Sequence, residues 1–190
     1  MNKLSLDRYD LYQCPVCEFV KKKNILSSCL EKARYDQHVC DSGYLKYMNN
    51  VYDKIKAYLN DGISLDYGCG QIHALSDILV SNNRMCDYYD LYYFNKLENK
   101  LYDNIILIEV LEHIFEPLDE LIKIKSMLNK NGRIIVMTGF VPKDFSNWWY
   151  LRDSTHVSFF KESSIKKLAD LLDMDLDIYQ DENIFVLKNK

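Results

Sequence analysis

The stretch Ile63 to Leu79, ISLDYGCGQIHALSDIL, decides the fold. An apolar run ends at Asp66, Gly68 and Gly70 then bracket Cys69, and from His73 onward apolar and polar residues alternate as on a helix. Strand, glycine turn and helix in that order build the ligand crevice of a parallel α/β sheet, at the carboxyl ends of its strands. Glycine suits such a turn because the backbone is tight and a ligand must approach it closely. A second run, MCDYYD, closes at Asp90. That is about 20 residues past the turn, the distance at which a nucleotide-binding βαβ unit places the acid that grips ribose hydroxyls.

Upstream, Gly43 to Asn60 reads as an amphipathic helix carrying Leu45, Met48, Val51, Ile55 and Leu59, and Gly62 stops it. Downstream, a helix over 73–81 leads to a strand over 84–89. The link from Asp90 to Asp103 is too short for a full helix and strand, so a third strand is short or missing. Tyr102 to Ile108 is a continuously apolar strand, as expected of a central parallel strand covered on both faces. EVLEHIFEP then turns into a short helix, and Pro117 opens the next one, with Leu118, Leu121, Ile122, Ile124, Met127 and Leu128 on its buried face and Asn131-Gly132 as its stop. GRIIVMTGF is a further buried strand, followed by an aromatic-rich loop from Val141 to Phe160. A helix over 162–172 and two strands, 176–179 and 184–187, close the chain as a hairpin. The repeated β-α order predicts an α/β domain.

The 190 residues suffice for one domain with a full core and a small appendage. A net charge of -4 argues against a broad nucleic-acid footprint, and Lys21, Lys22 and Lys23, the one basic run, read as a solvated surface. The first ten residues have no apolar core of the signal-peptide kind, and no apolar run approaches the ~20 residues of a membrane span. A cytoplasmic location is therefore expected, with the six cysteines present as thiols or metal ligands. Cys14 and Cys17 form a CxxC knuckle, the spacing that puts two thiolates on one zinc ion. Cys29, His38 and Cys40 are irregularly spaced candidates for the remaining ligands, and ordinary thiols are the competing reading.

The segments LDYGCG at 65–70, YDNIILIEVLEHIFEP at 102–117, NGRIIVMT at 131–138 and WWYLRDSTHVSFF at 148–160 resemble the class I S-adenosylmethionine-dependent methyltransferases. More narrowly, the CPxC knuckle, Tyr35, His38, Gly43 and Tyr44, and the THV loop resemble a bacterial subgroup of that family. The resemblance implies a Rossmann-like three-layer sandwich: a mostly parallel seven-stranded sheet, its third strand short or missing here, with a C-terminal antiparallel hairpin. It implies S-adenosylmethionine as cofactor, with Asp66, Gly68 and Gly70 at its methionine end, Asp90 on the ribose and Glu109 at the rim. The chain departs from the family pattern at Ile72, where a third glycine is expected, and in the short link after Asp90.

Methyl transfer from a sulfonium needs alignment, a dry site and, for some acceptors, a base. Tyr35, Tyr44 and Tyr67 are candidates for aromatic contact with the cationic sulfur. His156, between Thr155 and Val157 in the loop, is the first candidate for base or substrate contact, with a loop pin as its structural alternative. His38 is either a catalytic group capping the site or a zinc ligand, whereas His113 reads as a packing residue. Trp148, Trp149 and Tyr150 form either a substrate wall or a core plug, and Arg152 either holds an acceptor anion or pairs with Asp153. The organisation expected is a cap over 1–42 and an S-adenosylmethionine-binding methyltransferase domain over 43–190, acting on a small-molecule acceptor. A catalytically silent cofactor-binding scaffold and a zinc-knuckle nucleic-acid-binding protein are the alternatives.

Overall fold

The computed structural model of the protein describes residues 1–6 and 9–190. Its main sheet is built from β4 (Ile63–Tyr67), β5 (Met85–Tyr89), β6 (Tyr102–Ile108), β7 (Leu128–Met137), β9 (Asp175–Tyr179) and β10 (Ile184–Lys188). The strand order is β5-β4-β6-β7-β10-β9. The β4–β5, β4–β6 and β6–β7 pairs are parallel, and β10 runs antiparallel to both β7 and β9. The sheet therefore has six strands rather than the seven expected of the family. No third strand forms because residues 91–101 make only one bridge, between Asp90 and Phe94.

Period-two alternation in the central strands sends side chains to two cores. Ile105 and Leu107 of β6 pack with Ile134 and Val136 of β7 against α4 (Pro117–Ser126) and α5 (Glu162–Leu172). Ile106, Ile108 and Ile135 face α2 (Ser42–Ile55) and α3 (Ala74–Ser81), where Met48, Val51, Ile55, Leu75 and Leu79 wait. Two covered faces explain why these strands read as unbroken apolar runs. Asp41 caps α2, its carboxylate accepting from the Tyr44 amide at 3.0 Å. The helix opened by Pro117 ends at Ser126, short of the Asn131-Gly132 stop. Leu128 lies instead at the start of β7, opposite Tyr102.

The N-terminal residues form a second sheet that periodicity did not reveal. β1 (Asn2–Leu6), β2 (Tyr9–Gln13) and β3 (Val20–Lys22) are antiparallel, and β3 pairs with β8 (Ser158–Phe159) from the aromatic loop. Leu11, Val20, Tyr150, Leu151 and Phe159 form its small core. Lys22 is buried, and its ammonium donates to the carbonyls of Leu151 at 3.0 Å and Asp153 at 2.7 Å. Burial depresses its pKa to about 8. Lys21 pairs with Glu116 at 2.6 Å and lies over the Phe115 ring. Lys22 is thus an anchor for the loop and Lys21 is paired outside it, whereas Lys23 is exposed as a solvated surface residue.

Truncating Ile106 to Ala should cost about 2–5 kcal/mol in urea unfolding, because the side chain is fully enclosed between sheet and helices. A loss under about 1 kcal/mol would show that this face of β6 is loosely covered.

Candidate active site

The carboxyl ends of β4 and β5 hold one half of the site. The Gly68 and Cys69 amides donate to the Tyr89 carbonyl at 2.8 and 3.0 Å, which folds the glycine turn back onto β5. Gly68 has φ +85°, and a Cβ there would stand 2.5 Å from Val110. Gly70 has φ +69° with nothing within 4 Å of where a Cβ would lie, so its backbone faces open space. Its amide donates to Asp90 at 3.1 Å, and the other Asp90 oxygen accepts from the Tyr92 and Tyr93 amides at 2.8 and 3.2 Å. Asp66 is buried and accepts from the Ser76 amide in the first turn of α3 at 3.3 Å. Burial, then the nearby Asp90 and Asp77, push its carboxyl up to about 7.

The other half lies past β6. Glu109 takes a left-handed conformation, φ +52°, before a short 3-10 turn over Leu111–His113. The Tyr150 hydroxyl sits between two carboxylates: it lies 2.9 Å from Glu109 Oε2 and bonds Glu112 Oε1, and it accepts from the Gly139 amide at 3.2 Å. Glu112 is fully buried and also accepts from Thr138 Oγ1 at 2.9 Å. Burial, reinforced by Glu109, raises its pKa well above the ordinary carboxylate value. His113 Nδ1 lies 3.2 Å from the Thr155 carbonyl and His156 Nδ1 lies 3.0 Å from the Tyr150 carbonyl. A carbonyl only accepts, so both Nδ1 atoms carry the hydrogen and both Nε2 atoms are bare. Burial lowers the His156 pKa to about 4 and that of His113 to about 3, so both rings are neutral at pH 7.

A lid closes the space between the halves. It is α1 (Ser28–Tyr35), a helix with no strong apolar periodicity and one the sequence reading did not foresee. Tyr92 bonds Glu31, Tyr93 donates to Asp36 at 2.7 Å, Gln71 donates to the Tyr35 carbonyl at 2.7 Å, and Arg34 pairs with Asp153 at 3.1 Å. The resulting cavity is about 490 Å³, within the range of small-molecule sites.

Asp66, Gly68, Gly70, Asp90, Glu109, His38, His156, Trp149 and Tyr150 all line that cavity, as do Tyr35, Tyr44 and Tyr67. Trp148 does not. It stacks on Tyr150 at 4.6 Å and packs against Phe145 and Phe159, so it is a core plug rather than a substrate wall. Arg152 is exposed and lies outside the cavity, and Asp153 pairs with Arg34 instead. Trp149, two-thirds exposed, stands at the mouth. Cys14 and Cys17 occupy the turn between β2 and β3, and the described residues bring them no third ligand, so the zinc expectation lacks a ligand set there. Sequence reasoning gave Glu112 no place here and read His113 as a packing residue; the structure buries Glu112 beside the cavity and puts His113 on its wall. The signal was the EVLEH spacing, which puts Glu109, Glu112 and His113 on one tight turn at a strand end.

With this geometry in hand, comparison with known proteins identifies the class. The methyltransferase-domain family matches residues 44–177, and the chain belongs to it. Its fold is that of the class I S-adenosylmethionine-dependent methyltransferases. Among solved structures, an O-methyltransferase family protein from Burkholderia thailandensis superposes with a TM-score of 0.59 at 8% identity, covering 84% of this chain and 62% of that one. The chain thus spans under two-thirds of that relative. A SAM-dependent methyltransferase from Archaeoglobus fulgidus gives 0.58 at 12% identity, over 85% and 99% of the two chains. Magnesium protoporphyrin IX methyltransferase from Synechocystis PCC 6803, solved with bound SAM, gives 0.54 at 15% identity, over 86% and 92%. No curated protein sequence matches the chain.

Asp66 supplies a pH test. Its raised pKa means the ligand-free native state keeps a proton that the unfolded chain has lost between about pH 4 and 7, so stability falls as pH rises through that window, by up to about 1.4 kcal/mol per unit. Asp66→Asn should flatten this fall and be the more stable protein at pH 8, measured by urea unfolding at pH 5 and 8. Parallel slopes for the two proteins would contradict the assignment.

Proposed function

We propose that the cavity holds S-adenosylmethionine against the Gly68–Gly70 turn and that the chain transfers its methyl group to a small-molecule acceptor entering past Trp149. One observation carries this reading: the glycine turn with Asp90, and the cluster of Glu109, Tyr150, His113 and His156, open into the same cavity. Bound S-adenosylmethionine supplies a methyl group on a sulfonium for in-line displacement. The residues present fit it. Gly70 offers bare backbone to open space, Asp66 and Gly68 adjoin it for the methionine end, and Asp90 keeps lone pairs beyond its amide bonds for the ribose. Leu91, Tyr92 and Tyr93 line the wall next to Asp90 and take the place of the missing third strand for the adenine. The rings of Tyr44 and Tyr67, with the Glu109 carboxylate, suit a cationic sulfur.

For the acceptor, the lid and the cavity volume favour a small molecule over a macromolecule. His156, neutral with a bare Nε2, accepts a hydrogen bond from an acceptor hydroxyl or amine and orients it, and its low pKa makes it a weak base. His38 caps the mouth. The cap over 1–42 and the THV loop of the narrower CPxC subgroup act as one unit in this account: β3 pairs with β8, and the Lys22 amide donates to the Val157 carbonyl at 2.8 Å. A cytoplasmic setting, with free thiols, is part of the same proposal.

Calorimetric titration tests the donor half. Wild type should bind S-adenosylmethionine and S-adenosylhomocysteine one to one. Gly70→Ala, strained by about 1–2 kcal/mol at its positive φ and placing a methyl group in the open space, should weaken both by at least about tenfold while the protein stays folded. No binding by the folded wild type, or unchanged affinity in the variant, would overturn the reading.

A further inference from the structure

At the inner end of the cavity His113 and His156 line the wall, and Glu112 lies fully buried beside them, each of its oxygens accepting one hydrogen bond. An oxygen of Glu112 and one ring nitrogen each from His113 and His156 lie within 4.8 Å of one another. Glu109 adjoins them, sharing the Tyr150 hydroxyl with Glu112. The phenol has one proton to share between the two glutamates, while Thr138 serves the other Glu112 oxygen. The two histidines spend their only N–H outward, on the Thr155 and Tyr150 carbonyls, and among the described residues neither Nε2 has a hydrogen-bond partner. His156 is more than nine-tenths buried, yet it lines the cavity. Among the described residues no lysine or arginine lines the cavity, and the nearest cations, Lys22 and Arg34, are engaged by the Leu151 and Asp153 carbonyls and the Asp153 carboxylate.

Each histidine is also held as metal ligands are held. A ligating imidazole donates its other N–H to a backbone carbonyl or carboxylate, which fixes the ring and keeps the lone pair pointed at the ion. Glu112 is fixed in the same way, by Thr138 on one oxygen and Tyr150 on the other. Backbone bonds hold the arrangement in place, since the Val157 amide donates to the Glu112 carbonyl at 2.8 Å and Lys22 clamps the Leu151 and Asp153 carbonyls.

We propose that Glu112, His113 and His156, with Glu109 adjoining, form a binding site for one divalent cation. Two imidazoles and a carboxylate with open positions suit a first-row transition ion such as Mn²⁺. The ion would occupy the His156 Nε2 lone pair that otherwise accepts a hydrogen bond from the acceptor, and would hold an acceptor oxygen in its place, which narrows the acceptor to hydroxyl-bearing molecules. That last step rests on the methyl-transfer reading, whereas the cation site itself does not.

The test uses full-length protein freed of metal by chelation and titrated with Mn²⁺, the free ion being followed by electron paramagnetic resonance. Wild type should bind one Mn²⁺. His156→Ala and Glu112→Gln should each weaken binding by more than about 100-fold, beyond the 10–100-fold typical of outer partners. Glu112→Gln keeps oxygen acceptance for Tyr150, so it remains informative if the histidine variant fails to fold. Cys14→Ser/Cys17→Ser should bind Mn²⁺ as wild type does, which separates this site from the knuckle. Titration of each folded variant with S-adenosylhomocysteine distinguishes loss of the cation site from failure of the donor site. Absence of Mn²⁺ binding by folded wild type, or binding that survives Glu112→Gln and His156→Ala, would overturn the proposal.

Discussion

The site depends on one buried hydroxyl. Tyr150 comes from the loop after β7 and places its phenol oxygen against Glu109 and Glu112, which follow β6. A buried carboxylate without partners costs several kcal/mol, so Glu112, fully enclosed, is tolerable only while hydroxyls face it or it keeps a proton. That requirement fixes where the loop can lie. Its own carbonyls then orient His113 and His156, and Lys22 reaches across from the N-terminal sheet to clamp the loop from behind. The four-stranded sheet therefore contributes to the site although none of its first three strands lines the cavity.

The cavity joins parts built by different physics. The turn at Gly68–Gly70 is a backbone device, made possible by positive φ and held to β5 by amide bonds. The cluster opposite it is a side-chain device, made of buried groups locked by hydrogen bonds. Between them α1 is fastened by polar contacts (two phenols on two carboxylates, an amide on a carbonyl, and one ion pair) and by the Tyr35 ring, which packs on Tyr92 and His113. None of its residues is fully buried. A segment with so little apolar anchorage belongs to the low-stability end of a fold, where lids over ligands are found.

Much of this was legible in the chain. Continuous apolar runs located β4, β6 and β7, the glycine pair and Asp90 located a turn that lines the cavity, and α5 ends where periodicity placed it. The missing third strand followed from chain length alone. What was not legible is what arises between distant segments. β3 is three residues long and is held between β2 on one side and Ser158 and Phe159 on the other, so no local pattern announces it. The reading of Lys22 as solvated failed because its partners are backbone carbonyls, which any sequence could supply. Trp148 and Trp149 are adjacent and chemically alike, yet one stacks inward on Tyr150 and the other reaches the mouth, a choice set by tertiary packing. The Glu109, Glu112 and His113 spacing was visible as a turn, but its meaning required His156 from 43 residues later, as 156 − 113 = 43.

The central claim is that donor turn and acceptor cluster share one cavity beneath the lid. A crystal structure of the protein grown with S-adenosylhomocysteine tests it most directly. The account predicts the ribose on Asp90, the base beside Tyr92 and Tyr93, and the sulfur turned toward Glu109 and the histidines, with α1 still closed over the ligand. A ligand bound elsewhere, or one whose sulfur faces away from the Glu109–His156 cluster, would contradict it.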